Sequence, residues 1–138
     1  MKRPTIVTLC GSTRFKDVFL KAQCDETVAG KIVLTVGFFL HSDPDAVGRL
    51  SEEESEALKP KLDALHFQKI RMSDEILVLN VNQYIGESTG REIAYAYWLG
   101  KDIRWYEHSL CENCVASFQW DHWKDQSSYL ELIRKVNS

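Results

Sequence analysis

The sequence lacks a long hydrophobic run, since no apolar stretch approaches the roughly 20 residues that a membrane-spanning helix needs. Lys2 and Arg3 precede a short apolar run, and signal peptides also begin with basic residues followed by an apolar run. That run leads directly into the loop Gly11–Arg14, which is typical of a first β-strand. We therefore expect a cytoplasmic protein with no membrane partner and with its four cysteines reduced.

A strong positive charge is also lacking. The 17 lysines and arginines stand against 20 aspartates and glutamates, which gives a net charge of −3 and a pI near 5.8. No basic stripe stands out, which argues against a nucleic acid polymer as a partner. The glycine-rich phosphate motifs of P-loop proteins and of dinucleotide-binding proteins are absent as well.

Internal repeats and low-complexity segments are absent, and the composition does not change sharply along the chain. With 44% hydrophobic and 27% charged residues, the composition is that of a soluble globular protein. We therefore expect residues 1–138 to form a single domain that is long enough to bury a hydrophobic core.

Strand and helix patterns alternate along the chain. Runs rich in apolar and β-branched residues predict four strands, at residues 5–10, 31–37, 74–81 and 102–107. Helical periodicity begins at Arg14 and ends at Gly30. An acidic helical stretch covers residues 51–73, where Pro60 is expected to start or kink the second half. The remaining predictions are a long loop and a final helix, at residues 38–50 and near 128–136.

This alternation indicates right-handed βαβ units and a parallel sheet. We predict an α/β fold of the three-layer, flavodoxin-like (Rossmann-like) kind, with strand order 2-1-3-4 and helices on both faces. In this order the first and third strands are neighbours, and the helices that follow them lie on opposite faces. A ligand-binding crevice is expected at the carboxyl ends of these strands. The loops that open there are Gly11–Arg14 and residues 82–90.

The loop Gly11–Arg14 is a candidate anion site. Gly11 permits a tight turn and a close approach to a ligand, and Ser12 or Thr13 would open a helix whose free N–H groups favour an anion. Arg14 would add a forked contact to phosphate. The alternative is an ordinary capped helix with a surface arginine.

Glu92 is the candidate for chemistry after the second loop. Thr89 and Glu92 have the spacing of a helix capping box, but the same spacing recurs at Ser51–Glu54 and Ser128–Glu131, so it carries no catalytic information. Glu92 stands out because it lies beside the predicted crevice. A carboxylate near a helix N-terminus is expected to stay ionised, as a nucleophile requires. Glu92 is therefore either half of a helix cap or a reactive carboxylate.

Two further features have both a functional and a plain interpretation. Tyr84 would stack on an aromatic ligand, or it is an exposed loop residue with no such contact. A histidine and cysteine group offers four ligand types that zinc accepts, at His108, Cys111, Cys114 and His122. A single CxxC pair is weaker evidence than two, so a reduced, partly buried loop is favoured over a metal site.

Two segments, "VTLCGSTR" (7–14) and "LHFQKIRMSDEILVLNVNQYIGESTGREIAYAYWLGKDI" (65–103), carry a resemblance to a known family. They are similar to the nucleoside 2-deoxyribosyltransferase-like superfamily, which includes the 2′-deoxynucleoside 5′-phosphate and CMP N-glycosidases. The most specific part is Ser73-Asp74 at the start of a strand, followed by a loop, Gly-x-Glu, a small-residue helix and Gly100-Lys101. The resemblance covers residues 4–107 and implies a flavodoxin-like fold, in agreement with the predicted sheet.

By this resemblance, Glu92 corresponds to the glutamate that attacks the anomeric carbon of the ribosyl group and releases the base. Gly11, Ser12 and Arg14 match the phosphate-side loop of the nucleotide hydrolases, which implies a 5′-phosphorylated substrate, and Ser88 is expected near the phosphate. The chemistry requires no metal and no cofactor. The family also implies a homodimer or higher homo-oligomer, in which a neighbouring subunit completes the site.

Two positions depart from the family pattern. Thr8 stands in place of a tyrosine, and His66 stands where the family has a second acidic residue. A histidine can protonate a departing base near neutral pH, and Asp63 one turn earlier would orient it. His66 would otherwise be a half-buried helix residue with no such role.

The sequence thus predicts an enzyme that cleaves the N-glycosidic bond of a nucleoside or nucleoside 5′-monophosphate, by hydrolysis or deoxyribosyl transfer. Glu92 is the predicted nucleophile and His66 the candidate acid. One alternative is a non-catalytic protein that binds or senses nucleotides on the same scaffold, which the two departures favour. The other is a zinc-stabilised interaction module built on His108, Cys111, Cys114 and His122.

Overall fold

The computed structural model describes residues 2–37, 39 and 51–107. Within them, four strands form one parallel sheet in the order β2-β1-β3-β4. The strands are β1 (Ile6–Cys10), β2 (Ile32–Leu34), β3 (Glu75–Val78) and β4 (Asp102–Trp105). The predicted parallel sheet and strand order are confirmed, although each strand is shorter than its predicted range.

Three α-helices flank the sheet in the described residues: α1 (Lys16–Val28), α2 (Glu52–Met72) and α3 (Glu87–Trp98). A short 3-10 helix, Val81–Gln83, follows β3. α2 continues without a break through Pro60, so the proline does not begin a second helix. Pro60 and Glu56 both occupy exposed positions. Water can therefore reach the carbonyl group that the missing proline N–H leaves without its helical donor.

The hydrophobic core has one cluster on each face of the sheet. On one face, Phe19 and Ala22 of α1 pack against Val7, Leu9, Leu77 and Leu79. On the other face, α2 and α3 pack together against the sheet, through Cys10, Phe67, Ile70, Ile76, Val78, Ile93, Ala94, Tyr95 and Ala96. The Phe67 and Tyr95 rings meet edge to face at 5.0 Å and join these two helices. The three predicted layers are present, with the helices after β1 and β3 on opposite faces.

β3 is the most enclosed strand of the sheet. All four of its residues are buried, whereas β2 and β4 at the edges are partly exposed. This is the pattern expected of a central parallel strand with helices over both faces. Among the described helices, none is both long enough and apolar enough to cross a lipid bilayer.

Ser73 and Asp74 have structural contacts at the amino edge of the sheet. Ser73 Oγ donates to the Ile70 carbonyl at the end of α2 (2.8 Å). Asp74 accepts two hydrogen bonds from the Arg3 guanidinium (2.7 and 2.8 Å) and one from the Ile6 N–H (2.8 Å). The hydrogen bonds from the Arg3 side chain and from the Ile6 N–H hold the pKa of the Asp74 carboxyl well below its usual range. These residues fix β3 beside β1 at the edge opposite the carboxyl ends of the strands.

Candidate functional site

Glu92 lies in the second turn of α3, and its side chain has no capping role. α3 begins at Glu87 after the extended Gly86, and no side chain caps its first turn. Thr89 is already inside the helix and buried, so the predicted capping box of Thr89 and Glu92 is wrong. The equivalent spacing at the start of α2 does form a cap, because Ser51 Oγ accepts a hydrogen bond from the N–H of Glu54 at 3.1 Å.

Three side chains from three different elements converge beside the carboxyl end of β1. His66 Nε2, on α2, lies 3.6 Å from Glu92 Oε2 and 3.5 Å from the Sγ of Cys10, the last residue of β1. Cys10 is fully buried, His66 is buried, and the Glu92 side chain is 15% exposed. We call these residues the Cys10–His66–Glu92 cluster. The fold thus brings the two predicted catalytic residues, Glu92 and His66, into contact.

Burial sets the protonation of this cluster. It raises the pKa of Glu92 to about 8, and the negative charge of Asp63 adds to the effect. Burial lowers the pKa of His66 to about 4, and the positive charge of Lys69 acts in the same direction. At neutral pH the carboxyl therefore carries a proton while the imidazole is neutral. The 3.6 Å contact is one between uncharged groups and not an ion pair.

The prediction that the helix N-terminus keeps Glu92 ionised is therefore wrong. The helix dipole contributes about 0.3–1 kcal/mol near a surface, which is less than one pKa unit. Loss of water around a carboxylate costs more than this unless new donors replace the water. Glu92 Oε2 is buried and has no hydrogen-bond partner within the described part of the chain, so burial outweighs the dipole.

An open cleft reaches the Glu92 side chain from the space between α2 and α3. It is lined by Asp63, Phe67, Ser88, Arg91 and Glu92. Its volume is about 210 Å³, including the part that is open to solvent. The space that these side chains enclose is only about 10 Å³, which is room for about one water molecule, whereas ligand pockets usually measure about 300–1,000 Å³, so they line only a small part of a nucleotide-sized site. Ser88 is in the lining, and Arg91 supplies a cation whose Nη2 lies 2.6 Å from Glu87 Oε1.

The sequence predicted that Ser12 or Thr13 opens a helix. In the structure, the loop after β1 opens no helix at either residue. α1 begins at Lys16, and its N-cap residue, Phe15, provides no side-chain cap. The residues before it form a turn, in which the Ser12 carbonyl accepts the N–H of Phe15 (3.1 Å) and Ser12 Oγ accepts the N–H of Arg14 (3.4 Å). The predicted helix start is therefore corrected to Lys16, whereas anion binding by this loop stays a prediction.

Arg14 and Tyr84 bring the two predicted loops together. The Arg14 guanidinium carbon lies 4.6 Å from the centroid of the Tyr84 ring, and the Phe15 ring meets the same ring edge-on at 5.9 Å. Neither Arg14 nor Tyr84, nor Ser12, lines the cleft beside Glu92. Ligand binding by these residues stays a prediction.

Gly11 closely approaches the residue that follows the third strand. A Cβ at this position would lie 3.1 Å from Leu79 Cβ and 3.3 Å from the Leu79 carbonyl oxygen, just beyond the end of β3. Contacts this short require the neighbouring backbone to move. The absence of a side chain at Gly11 is thus explained within the fold, whether or not a ligand also approaches it.

Sequence reasoning missed Cys10, Phe67 and Arg91 as parts of the site. Cys10 was interpreted only as a reduced thiol, although it is the last residue of the first predicted strand and so lies at the predicted crevice. Phe67 and Arg91 directly adjoin His66 and Glu92 in the sequence. Successive residues point about 100° apart around a helix, so the sequence did not reveal that Phe67 and Arg91 line the cleft with Glu92, whereas His66 does not.

Several predictions fall outside the described residues. These are the zinc-accepting set His108, Cys111, Cys114 and His122, the final helix near 128–136, and the loop 38–50 except for Phe39. They stay as sequence-based predictions.

In comparisons with known proteins, no family model, no curated protein and no solved structure matches this chain. The resemblance to the nucleoside 2-deoxyribosyltransferase-like superfamily therefore stays a prediction from the sequence.

Proposed function

We propose that this protein cleaves the N-glycosidic bond of a nucleoside or, preferably, a nucleoside 5′-monophosphate, with Glu92 as nucleophile and His66 as acid. The contact between His66 Nε2 and Glu92 Oε2 at 3.6 Å carries the proposal, because it pairs a carboxyl group with a proton acceptor beside a cleft. Glycosidic bond cleavage through an oxocarbenium-like transition state and a covalent intermediate uses a carboxylate nucleophile together with a second group that protonates the leaving group. The nucleoside class of substrate comes from the sequence resemblance alone.

The proton on the cluster accounts for the first step. Glu92 transfers its proton to His66, which leaves a carboxylate and an imidazolium. The carboxylate oxygen bonds to the anomeric carbon while the C–N bond breaks, and that electron pair goes to the base. His66 then gives its proton to a nitrogen of the departing base. The products are a glycosyl ester on Glu92, a neutral free base and a neutral imidazole, so atoms and charge balance.

The second step restores the starting state. Water bonds to the anomeric carbon and loses a proton to His66, while the ester bond breaks and its electron pair returns to Glu92. The proton then passes from His66 back to Glu92. In deoxyribosyl transfer, a second base with an N–H group takes the place of water.

The reaction needs Glu92 as a carboxylate and His66 as an imidazolium, whereas burial favours the uncharged carboxyl group and imidazole in the free protein. The substrate therefore has to favour the charged pair. The positive charge that develops on the sugar ring in the transition state stabilises the Glu92 carboxylate, so the charged pair has to form only as the C–N bond breaks. This coupling would confine the reactive carboxylate to the time when substrate is bound.

Ser88 and Arg91 are the proposed contacts for the 5′-phosphate. Both lie in the lining of the cleft beside Glu92, and an arginine can form two parallel hydrogen bonds to a phosphate. Because the cleft is smaller than a nucleotide, further walls must complete the site. We propose a neighbouring subunit of a homodimer for this role, following the resemblance.

A panel of nucleosides and nucleoside 5′-monophosphates tests the proposal. Free base is measured by chromatography, and intact-protein mass spectrometry follows the glycosyl ester. We expect base release and a covalent mass increase with the wild type, and neither with Glu92→Gln or Glu92→Ala. Glu53→Gln is the matched control, because Glu53 on α2 is exposed and does not line the cleft. Release that persists in both Glu92 variants would exclude Glu92 as the nucleophile.

A non-catalytic nucleotide-binding protein is the second candidate. It is favoured by the raised pKa of Glu92, because a protonated carboxyl is a poor nucleophile. Under this alternative, calorimetry detects nucleotide binding to the wild type, whereas no member of the panel releases base. Binding would also be retained by Glu92→Gln.

A further inference from the structure

We propose that the Cys10–His66–Glu92 cluster binds one Zn²⁺ ion. The cluster offers one thiol sulfur, one imidazole nitrogen and one carboxylate oxygen, and these three atoms all lie within 4.8 Å of one another. Each comes from a different element of the fold: the end of β1, α2 and α3. Three protein ligands with a fourth position left for water or another group is a common arrangement for zinc.

The distances between the ligand atoms suit a tetrahedral ion. Bonds of about 2.3 Å to sulfur and about 2.1 Å to nitrogen or oxygen, at a tetrahedral angle, place sulfur and nitrogen about 3.6 Å apart and nitrogen and oxygen about 3.4 Å apart. In the structure Cys10 Sγ and His66 Nε2 are 3.5 Å apart, and His66 Nε2 and Glu92 Oε2 are 3.6 Å apart. The sulfur–nitrogen and nitrogen–oxygen distances therefore already match those of a tetrahedral zinc site, and little movement of α2 or α3 is needed to reach them.

The nature of the ligands selects zinc over the hard cations. Mg²⁺ and Ca²⁺ prefer six or more oxygen ligands, whereas the cluster has a single carboxylate. Sulfur and imidazole suit zinc and its neighbours among the transition metals. A metal ion would also take up Glu92 Oε2, a buried oxygen with no hydrogen-bond partner among the described residues.

Zinc at this position would inhibit the proposed reaction. Ion binding occupies the carboxylate that attacks the sugar and the imidazole nitrogen that carries the proton. The inhibition rests on the proposed function, whereas the binding of zinc rests only on the geometry of the three side chains. The two claims can therefore fail separately.

Binding is tested on the full chain after treatment with a chelator, in the absence of any nucleotide. Zn²⁺ affinity is measured by competition with a chromophoric chelator, and Co²⁺ is used as a spectroscopic probe of thiolate ligation. We expect one tight equivalent and a sulfur-to-cobalt charge-transfer band. Cys10→Ser and Glu92→Gln should abolish or shift the band and weaken zinc binding by more than the roughly 10–100-fold that results from losing a group hydrogen-bonded to a ligand.

Two control variants identify the site. Cys24→Ser removes an exposed thiol on α1 and should leave the band unchanged. The double variant Cys111→Ser/Cys114→Ser removes the other candidate thiols and should also keep the band. Loss of the band in the double variant with retention in Cys10→Ser would overturn the proposal, and so would the absence of tight binding by the wild type. Circular dichroism checks the fold of Cys10→Ser, and Glu92→Gln gives an independent result because its side chain is nearer to the surface.

The inhibitory effect is measured by adding Zn²⁺ back to the chelator-treated enzyme during base release. Release should fall with the same concentration dependence as binding. Zinc binding at Cys10 with unchanged release would overturn the inhibition while the metal site stands. If no nucleotide releases base, the proposed function fails, and the cobalt band alone decides the metal site.

Discussion

His66 Nε2 and Glu92 Oε2 lie 3.6 Å apart, on two helices that pack against the same face of the sheet. Burial moves the two pKa values in opposite directions, to about 4 for His66 and about 8 for Glu92. Opposed shifts of this kind assign the donor and acceptor of a proton. The pair holds one proton across the neutral range, and its position is observable in the metal-free protein.

The His66 imidazole is expected to remain neutral from pH 8 down to about its lowered pKa of 4, because burial opposes the charged form. Ring nitrogen chemical shifts across a pH titration by NMR measure this directly. The same titration in Glu92→Gln should give a similarly low value, since a neutral partner is replaced by a neutral partner. A His66 midpoint at or above the ordinary value of about 6.5 would contradict the prediction and indicate an ion pair with an ionised Glu92.

The free energy of unfolding should depend on pH through Glu92. Its folded pKa, about 8, lies above the ordinary value of 4.5, so the folded state holds the proton longer than the unfolded state does. The stabilising contribution is complete below pH 4.5 and is lost as pH rises toward 8. Glu92→Gln lacks this loss, so it should gain stability relative to the wild type by about 1.4 kcal/mol per pH unit across that window.

Urea unfolding at several pH values measures this difference. His66 changes stability in the opposite sense between about pH 4 and 6.5, but it does so in both proteins and cancels in the comparison. Glu87→Gln is the control, because it removes an exposed carboxylate from the same helix. If the difference in free energy of unfolding between the wild type and Glu92→Gln did not change with pH, Glu92 would be ionised in the folded protein.

The sheet was predictable because its strands are continuous apolar runs, and such runs match parallel strands covered on both faces. The starts of α1 and α3 were not predictable from cap residues. Ser12 and Thr89 have suitable side chains, but the helices begin after Phe15 and Gly86, neither of which provides a side-chain cap. A cap contributes about 1 kcal/mol, which is less than burial of the large side chains that fix each helix on the sheet.

Glu92 was predicted from its place in the predicted topology and from the resemblance, and His66 from the resemblance alone. Their contact and their charge were not predictable, because both depend on how closely α2 and α3 pack. Cys10 joins them for the same reason, since only the packed structure shows that its sulfur meets His66 Nε2 at 3.5 Å. The sequence placed Glu92 beside the predicted crevice, but the protonation of Glu92 depends on the side chains that surround it.

Arg91 is expected to bind the 5′-phosphate, because it lines the cleft beside Glu92 whereas Arg14 lies over the Tyr84 ring. A hydrogen bond to a charged group contributes about 1.5–3 kcal/mol, so Arg91→Gln should raise the KM for nucleoside 5′-monophosphates about 10- to 100-fold. The KM for the unphosphorylated nucleoside should change little. Steady-state kinetics with matched pairs of substrates gives both values.

Arg14→Gln is the comparison for Arg91→Gln, and it should have the smaller effect on the phosphorylated substrate. Arg91→Gln should still fold. The ion pair between Arg91 and Glu87 joins exposed or half-exposed side chains, and such pairs contribute little to stability. A larger effect from Arg14→Gln would transfer the phosphate contact to the loop after β1, as the sequence first predicted.

Gly11→Ala is expected to lower the free energy of unfolding by about 1–3 kcal/mol, because the added methyl group overpacks a closed contact. The new Cβ would meet Leu79 Cβ at 3.1 Å and the Leu79 carbonyl oxygen at 3.3 Å. Gly37→Ala is the matched control, since a Cβ there has nothing within 4 Å among the described residues and a change in an open surface position usually stays within about 0.5 kcal/mol. Chemical denaturation of the three proteins gives the comparison. If Gly11→Ala kept wild-type stability and lost only nucleotide binding, Gly11 would serve the approach of a ligand and not the packing of β1 against β3.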